Sequence, residues 1–381
     1  MTRGGLGALV LAATLAGAAV AAQPEAFDPA RAWTHLERLV ALGPRPAGSP
    51  ALRQARAYIT RELAVVGLTV QEQPFTAVTP AGRVDMVNLI VRLPGRRQDR
   101  IILAGHYDTK PLPGGTFVGA NDGGSSAAFL IELARVLQTR DREFTWEIAW
   151  FDGEEAFCAN WSDCGTPESP DNTYGSRHYV AEAQRAGALP SVRALILVDM
   201  IADRQLRFLR ESGSTRWLVD LIWETADRLG HGDVFVNQSL AVEDDHQPFL
   251  DAGVPAIDII DLDYPPWHTP GDTIDKLDPQ GFAITGDVLI ESLPAIEKRL
   301  IAGGVHRGLN AIHPARMTAA AATTAMTIWR ALAAASPEAN QPRTAAMTSR
   351  IATSSHGRPP GSPSGGRGRS TSGIGVGVPQ R

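Results

Sequence analysis

The chain has 381 residues, 44% of them hydrophobic and 20% charged, with a net charge of −5. That length supports one large core or two domains. The mild acidity, with no basic stripe carrying interleaved aromatics, argues against a nucleic-acid-binding surface. Arg3, the apolar run Leu6–Val20 and the small residues up to Ala22 read as a secretory signal peptide over residues 1–22, so export, to periplasm or medium, is expected. The run is short and rich in Ala and Gly, which argues against a stable membrane span.

Asp28-Pro29 is an N-cap followed by Pro at the first helical position, and it opens a helix through Ala41. After the rigid loop Gly43–Pro50, a second amphipathic helix places Ala51, Ala55, Tyr58, Ile59, Leu63 and Val66 on one face. Strands are predicted over Leu68–Pro74, Met86–Leu93 and Ile101–Gly105, the last running into His106-Tyr107-Asp108. Gly119–Ser126 leads into an apolar helix ending near Leu137. Trp146–Phe151 then reads as a buried strand that delivers Asp152-Gly153-Glu154-Glu155. A loop rich in Pro, Ser and Asp follows from Cys158 to Thr173. A helix over Tyr174–Arg185, a strand over Val192–Val198 ending in Asp199, and a helix over Trp217–Leu229 come next. Glu243-Asp244-Asp245-His246 opens a short helix, Val254–Ile260 is the last strand, and a loop with Trp267-His268-Thr269 precedes a final helix over roughly Pro279–Leu300.

Strands alternating with helices, several ending in an acid or an imidazole, predict a single α/β domain over residues 23–302 with a mixed, mostly parallel central sheet flanked by helices. From residue 303 to 381 the composition changes. There is no Lys, nine Arg and a single acid, Glu338, so this segment reads as a low-complexity, disordered tail. The only cysteines are Cys158 and Cys164. A bond between them would close a short loop, worth about 2 kcal/mol in chain entropy, but the sequence leaves open whether it forms. A zinc pair is the weaker alternative, since no further Cys completes a thiolate site.

Adjacent Glu154 and Glu155 at the end of a buried strand suggest two jobs, one binding a metal and the other moving protons. Five metal-competent residues, His106, Asp122, Glu155, Asp199 and His268, fall at predicted strand ends or the loops after them, a donor set that suits zinc. Taken singly, each has a structural alternative. Asp122 suits an N-cap, Asp199 a cap or an Arg partner, His106 a satisfied buried imidazole, and His268 an ordinary loop position.

His106-Tyr107-Asp108, Asn121-Asp122, Glu154-Glu155, Asp199 and His268 resemble the ligand pattern of the zinc aminopeptidases of metallopeptidase family twenty-eight. More narrowly, Phe151–Phe157 with Trp161, Tyr174-Gly175-Ser176-Arg177-His178, Asp244–Leu250 and Trp267-His268-Thr269 resemble the glutaminyl cyclases, or glutaminyl-peptide cyclotransferases, across roughly Pro29–Leu300. That resemblance implies a zinc-aminopeptidase-like fold and conversion of N-terminal Gln to pyroglutamate with release of ammonia, on peptide or protein N-termini. It implies one zinc per chain held by Asp122, Glu155 and His268, with Glu154 as proton shuttle and a raised pKa from crowding by its ligand neighbour. Asp199 and Asp244 would hold and polarise the substrate, and Trp161 and Trp267 would line its pocket. The competing reading is an aminopeptidase with a second zinc on His106 and Asp199, bridged by Asp122. The chain departs from the cyclase pattern at Asp258, where an imidazole is common, and in the Cys-containing loop. Oligomeric state is not legible in the sequence.

Overall fold

The computed structural model describes residues 25–307. The expected signal segment, and the tail beyond residue 307, lie outside the described residues. Asp28 caps α1 (Pro29–Val40), its carboxylate accepting from the Ala30 N–H, and Ser49 caps α2 (Pro50–Val65) in the same way through Leu52. Both helices carry Pro at their first position, where the missing N–H costs nothing. The buried face of α2 is Leu52, Ala55, Ile59 and Leu63, so Leu52 takes the place expected for Ala51, while Tyr58 and Val66 are only partly covered.

A six-stranded sheet forms the centre. Its strands are β1 (Val70–Thr79), β2 (Gly82–Leu93), β3 (Arg97–His106), β4 (Phe144–Phe151), β7 (Val192–Asp199) and β10 (Ala256–Ile260), in the spatial order β1-β2-β4-β3-β7-β10. The pairings among β4, β3, β7 and β10 are parallel, and those of β2 with β1 and β4 are antiparallel. β1 continues past Pro74, which had been expected to end it. The strand lies at the edge of the sheet, where proline is tolerated.

Successive residues of the central strands point to opposite faces. Ile101, Leu103, Ile196 and Val198 pack with α1, α2, α3 (Gly124–Leu137), α5 (Arg216–Leu229) and α7 (Gln280–Arg307), whereas Ile102, Ala104, Leu195 and Leu197 face α4 (Tyr174–Arg185) and α6 (Gln247–Asp251). α7 runs to Arg307, beyond its expected end near Leu300. Two small sheets complete the described residues: β5 (Gly165–Thr166) with β6 (Ser169–Pro170), and β8 (Phe208–Glu211) parallel to β9 (Phe235–Leu240). β9 is mostly exposed and polar, so it carries no apolar alternation for a sequence reading to find.

From β3 the chain crosses through α3 to β4 on one side, while β7 pairs with β3 on the other. The crevice at this reversal opens above the carboxyl end of β3, where open α/β sheets bind ligands. Close packing holds the strand in register there. A Cβ on Gly105 would lie 2.7 Å from the Ser126 Cβ and 2.8 Å from the Val198 carbonyl oxygen, so only glycine lets α3 and β7 approach β3 this closely. Gly105→Ala is expected to destabilise the fold by about 1–3 kcal/mol through overpacking. A urea-unfolding midpoint equal to that of the parent protein would contradict this packing.

Candidate active site

The carboxyl ends of β3, β4 and β7 deliver His106, Glu154-Glu155 and Asp199 to this crevice, and the loops before α3 and after β10 add Asp122 and His268. The resulting cavity, of about 280 Å³, is lined by Asp122, Glu154, Trp161, Asp199, Asp244, Trp267, His268 and apolar neighbours. A larger cavity of about 540 Å³ lies at the amino-terminal ends of β7 and β10, but its lining contains neither His nor carboxylate. It offers no comparable chemistry.

Asp122 stands between two donor sets. Its Oδ2 is 3.4 Å from His268 Nε2, which is itself 3.1 Å from Glu155 Oε2. Its Oδ1 is 3.2 Å from His106 Nε2, which is 3.2 Å from Asp199 Oδ1. In each set one donor atom per residue lies within 4.8 Å of the others. Asp122 does not cap α3, whose cap is Gly123 with no side-chain hydrogen bond. Gly123 has φ 74°, and a Cβ there would meet the Asp108 carbonyl oxygen at 2.3 Å. Asp199 hydrogen-bonds His106 and the Met200 N–H, and has no Arg partner among the described residues.

These residues fit a metal ion on the chemistry of the donors alone. Asp122 and Glu155 are each 2% exposed. Asp122 Oδ2 and both Glu155 oxygens lack any hydrogen-bond partner, although His268 is near. Buried carboxylate oxygens without hydrogen-bond partners, set around an imidazole, call for a cation, and an N/O set without thiolate suits zinc. Asp108, Asp272 and Arg45 hold the set in place. Asp108 accepts the N–H groups of Glu154 and Glu155, and Asp272 accepts those of Asn121 and Asp122. Fully buried Arg45 donates to the carbonyls of Tyr107, Val118 and Gly119. Asp108 stood in the His-Tyr-Asp motif and was legible, whereas Asp272 and Arg45 sit in loops that carry no such signal.

Backbone strain gathers at the same place. Among the described residues the non-glycine positions with left-handed backbone are Thr173, Met200 and His268, at φ 48°, 47° and 52°. Met200 and His268 line the cavity, and the Thr173 N–H binds the Glu154 carbonyl at 2.8 Å. Such strain persists where surrounding contacts over-determine it. Cys158 and Cys164 are disulfide-bonded and close the loop that carries Trp161. Trp267 stacks on His268 with ring centroids 4.1 Å apart.

Burial raises Glu154 well above an ordinary Glu, with the charges of Asp244 and Glu155 adding to it and His106 opposing. Desolvation is therefore the larger cause, ahead of the crowding by Glu155 expected from sequence. Burial, then the charge of Asp122, push Glu155 up to about 7. Burial, then Asp199, push Asp244 up to about 7. Burial lowers His268, but Glu155 and Asp122 outweigh it and raise the imidazole to about 9.

A mixed α/β sheet with carboxylates and imidazoles gathered at its switch point defines the class of α/β enzymes that hold a metal-competent centre on loops. The chain belongs to Peptidase family M28, whose profile matches residues 88–293. It is 31% identical over 284 residues to the mouse (Mus musculus) glutaminyl-peptide cyclotransferase-like protein, covering 66% of this chain and 72% of that one. Among solved structures, an Acidobacteriales bacterium glutaminyl cyclase is 38% identical with a TM-score of 0.67, covering 75% of this chain and 100% of that one. A Zn-dependent exopeptidase from Parabacteroides distasonis is 25% identical with a TM-score of 0.64, covering 72% and 99% respectively.

The shifts carry a sign for stability. Glu155, Asp244 and His268 all have raised folded-state pKa values in the metal-free protein. Each stabilises most below its unfolded pKa, and that contribution is lost as pH rises through the folded value, so metal-free stability should fall between pH 5 and 9. Zinc, which binds the deprotonated ligands, should offset the loss. Calorimetry of chelator-treated and zinc-supplemented protein is expected to show a Tm gap that widens with pH. A gap that narrows would contradict the site.

Proposed function

We propose that this chain is a glutaminyl-peptide cyclotransferase, closing an N-terminal Gln to pyroglutamate with loss of ammonia. The observation that carries this reading is the division of the adjacent glutamates: Glu155 turns to Asp122 and His268, while Glu154 turns to the cavity wall beside Trp161 and Asp244. A small aromatic-walled cavity with a buried acid, Glu154, outside the Asp122, Glu155 and His268 set suits a side-chain amide and an α-amine brought together.

Asp122, Glu155 and His268 would hold one zinc ion, which supplies Lewis acidity toward the γ-amide oxygen when bound. Glu154 takes a proton from the α-amine as that nitrogen bonds to the carbonyl carbon of the side-chain amide (Cδ). It then returns the proton to the amide nitrogen as the carbon–nitrogen bond breaks and ammonia departs. A carboxyl raised by burial suits this double duty near neutral pH, since it must both accept and release a proton. Asp244 presents an unpartnered Oδ2 and Asp199 an acid next to the cavity, placing both to orient the substrate nitrogen atoms. Trp161 and Trp267 supply the apolar wall that excludes water from the closing ring.

The substrates are accordingly peptide or protein N-termini. The Cys158–Cys164 disulfide supports export, since such bonds persist in oxidising compartments. No described helix is long and apolar enough to cross a membrane.

The His106, Asp122 and Asp199 set favours a second reading, in which two zinc ions activate water for aminopeptidase chemistry and Glu154 is its base. Ammonia release from a Gln-initiated dipeptide, measured against amino-acid release from aminoacyl anilides on zinc-loaded protein, separates the two. Ammonia with one zinc per chain is expected; free amino acid with two zincs would replace the cyclase reading. Glu154→Gln should keep its zinc and lose at least about a hundredfold in turnover, whereas Glu155→Ala should lower zinc content by elemental analysis. Full turnover in Glu154→Gln removes that residue from the mechanism.

A further inference from the structure

A second cavity adjoins the one that holds the candidate site. It encloses about 260 Å³ and is lined by Arg207, Leu209, Gln238, Leu240, Leu262 and Asp263. Leu262 also lines the first cavity, so one leucine stands in the wall of both. The segment that leaves β9 joins them a second time. Leu240 lines the second cavity, and Val242, two residues on, lines the first. Two residues of fully extended chain span at most about 7 Å, which bounds how far apart these two walls stand.

The recess is held by hydrogen bonds from beneath. The carboxylate of fully buried Asp261 accepts the Arg207 N–H at 2.9 Å and the Asp263 N–H at 3.2 Å, tying the entry of β8 to the loop after β10. The Leu240 carbonyl accepts the Ser212 N–H at 2.8 Å, which fixes the end of β9 against β8. β8 buries Phe208 against Phe235, with ring centroids 4.9 Å apart, and turns Leu209 to the opposite face. Leu209, Leu240 and Leu262 are each partly exposed, so the recess shows an apolar lining to solvent. Arg207 Nη1 lies 3.7 Å from Asp263 Oδ2, and their charges offset one another. Nothing in this lining favours a ligand of either sign, whereas three leucines favour an apolar one.

We propose that this recess is a subsite for the third residue of a peptide whose first residue occupies the candidate site, and that it selects a bulky apolar side chain there. In an extended peptide successive side chains point to opposite faces, so residues one and three share a face about 7 Å apart. That spacing matches the distance allowed between the Leu240 and Val242 walls. The second residue then points away from the floor. The volume lies just under the roughly 300–1,000 Å³ of pockets for drug-sized ligands, which suits a single side chain. The inference rests on the reading of peptide N-termini as substrates and narrows it to those with Leu, Ile or Phe in third place.

Two series of tripeptide amides, Gln-Gly-Xaa and Gln-Xaa-Gly, test this on zinc-loaded protein. Gln-Gly-Leu should exceed Gln-Gly-Gly about tenfold in kcat/KM, chiefly through KM, because burial of the third side chain acts on bound substrate and transition state alike. Gln-Gly-Glu and Gln-Gly-Lys should gain nothing, and Gln-Leu-Gly should gain less than Gln-Gly-Leu. Leu209→Glu should bring the Leu-to-Gly ratio close to one and raise Gln-Gly-Lys above Gln-Gly-Leu, a reversal that a merely structural loss would not produce. A ratio near one in the parent protein, a preference confined to the second residue, or a ratio unmoved by Leu209→Glu would overturn the subsite. Should that variant fail to fold, Leu240→Gln and the parent series decide. Free glutamine in place of ammonia sinks the cyclase reading, and the Leu-to-Gly ratio, read on whichever product forms, still tests the subsite.

Discussion

Like charge buried at one edge of the sheet is the constraint that the rest of the molecule answers. Asp122, Glu154, Glu155, Asp199 and Asp244 are each 6% exposed or less, and all but Glu155 line one cavity. Among the nearest cationic groups are the His106 and His268 imidazoles and Lys110, and the Lys110 ammonium is already engaged by the carbonyls of Ala156 and Cys158. Such a set is stable only if it holds protons, a divalent ion, or both. Its supports are placed accordingly. Asp108 and Asp272 take backbone N–H groups from the very residues that present the acids, and Arg45 grips the carbonyls of the loop that carries Asp122.

The acids in the crevice differ in what surrounds them rather than in what they are. Glu155 and Asp122 face His268 with unpartnered oxygens, which is the environment of ligands. Glu154, one residue away, faces the cavity and is raised chiefly by burial, which is the environment of a proton carrier. On the proposed reading, neighbouring carboxyl groups are sorted into metal binding and proton transfer by desolvation and partner geometry.

Much of this was legible in the chain, for physical reasons that can be named. Buried strands ending abruptly in charge, as Trp150-Phe151 does before Glu154-Glu155, mark the carboxyl edge of an α/β sheet, and the Asp28-Pro29 pair fixes a helix start to the residue. Other features left no trace in the pattern. β9 is a mostly exposed, polar strand without alternation, and Pro74 sits inside a strand because that strand is an edge. Asp272 acts across 150 residues of sequence through the Asp122 N–H. The left-handed backbone at Met200 and His268 comes from tertiary packing, which no local propensity announces. The Cys158–Cys164 pairing, left open by the sequence, was decided by three-dimensional proximity.

Anomalous scattering at the zinc edge, from crystals of zinc-loaded protein, reaches the central claim most directly. The account predicts a peak in contact with Asp122, Glu155 and His268. A map with no peak between these three side chains, or with zinc bound only elsewhere, would contradict it.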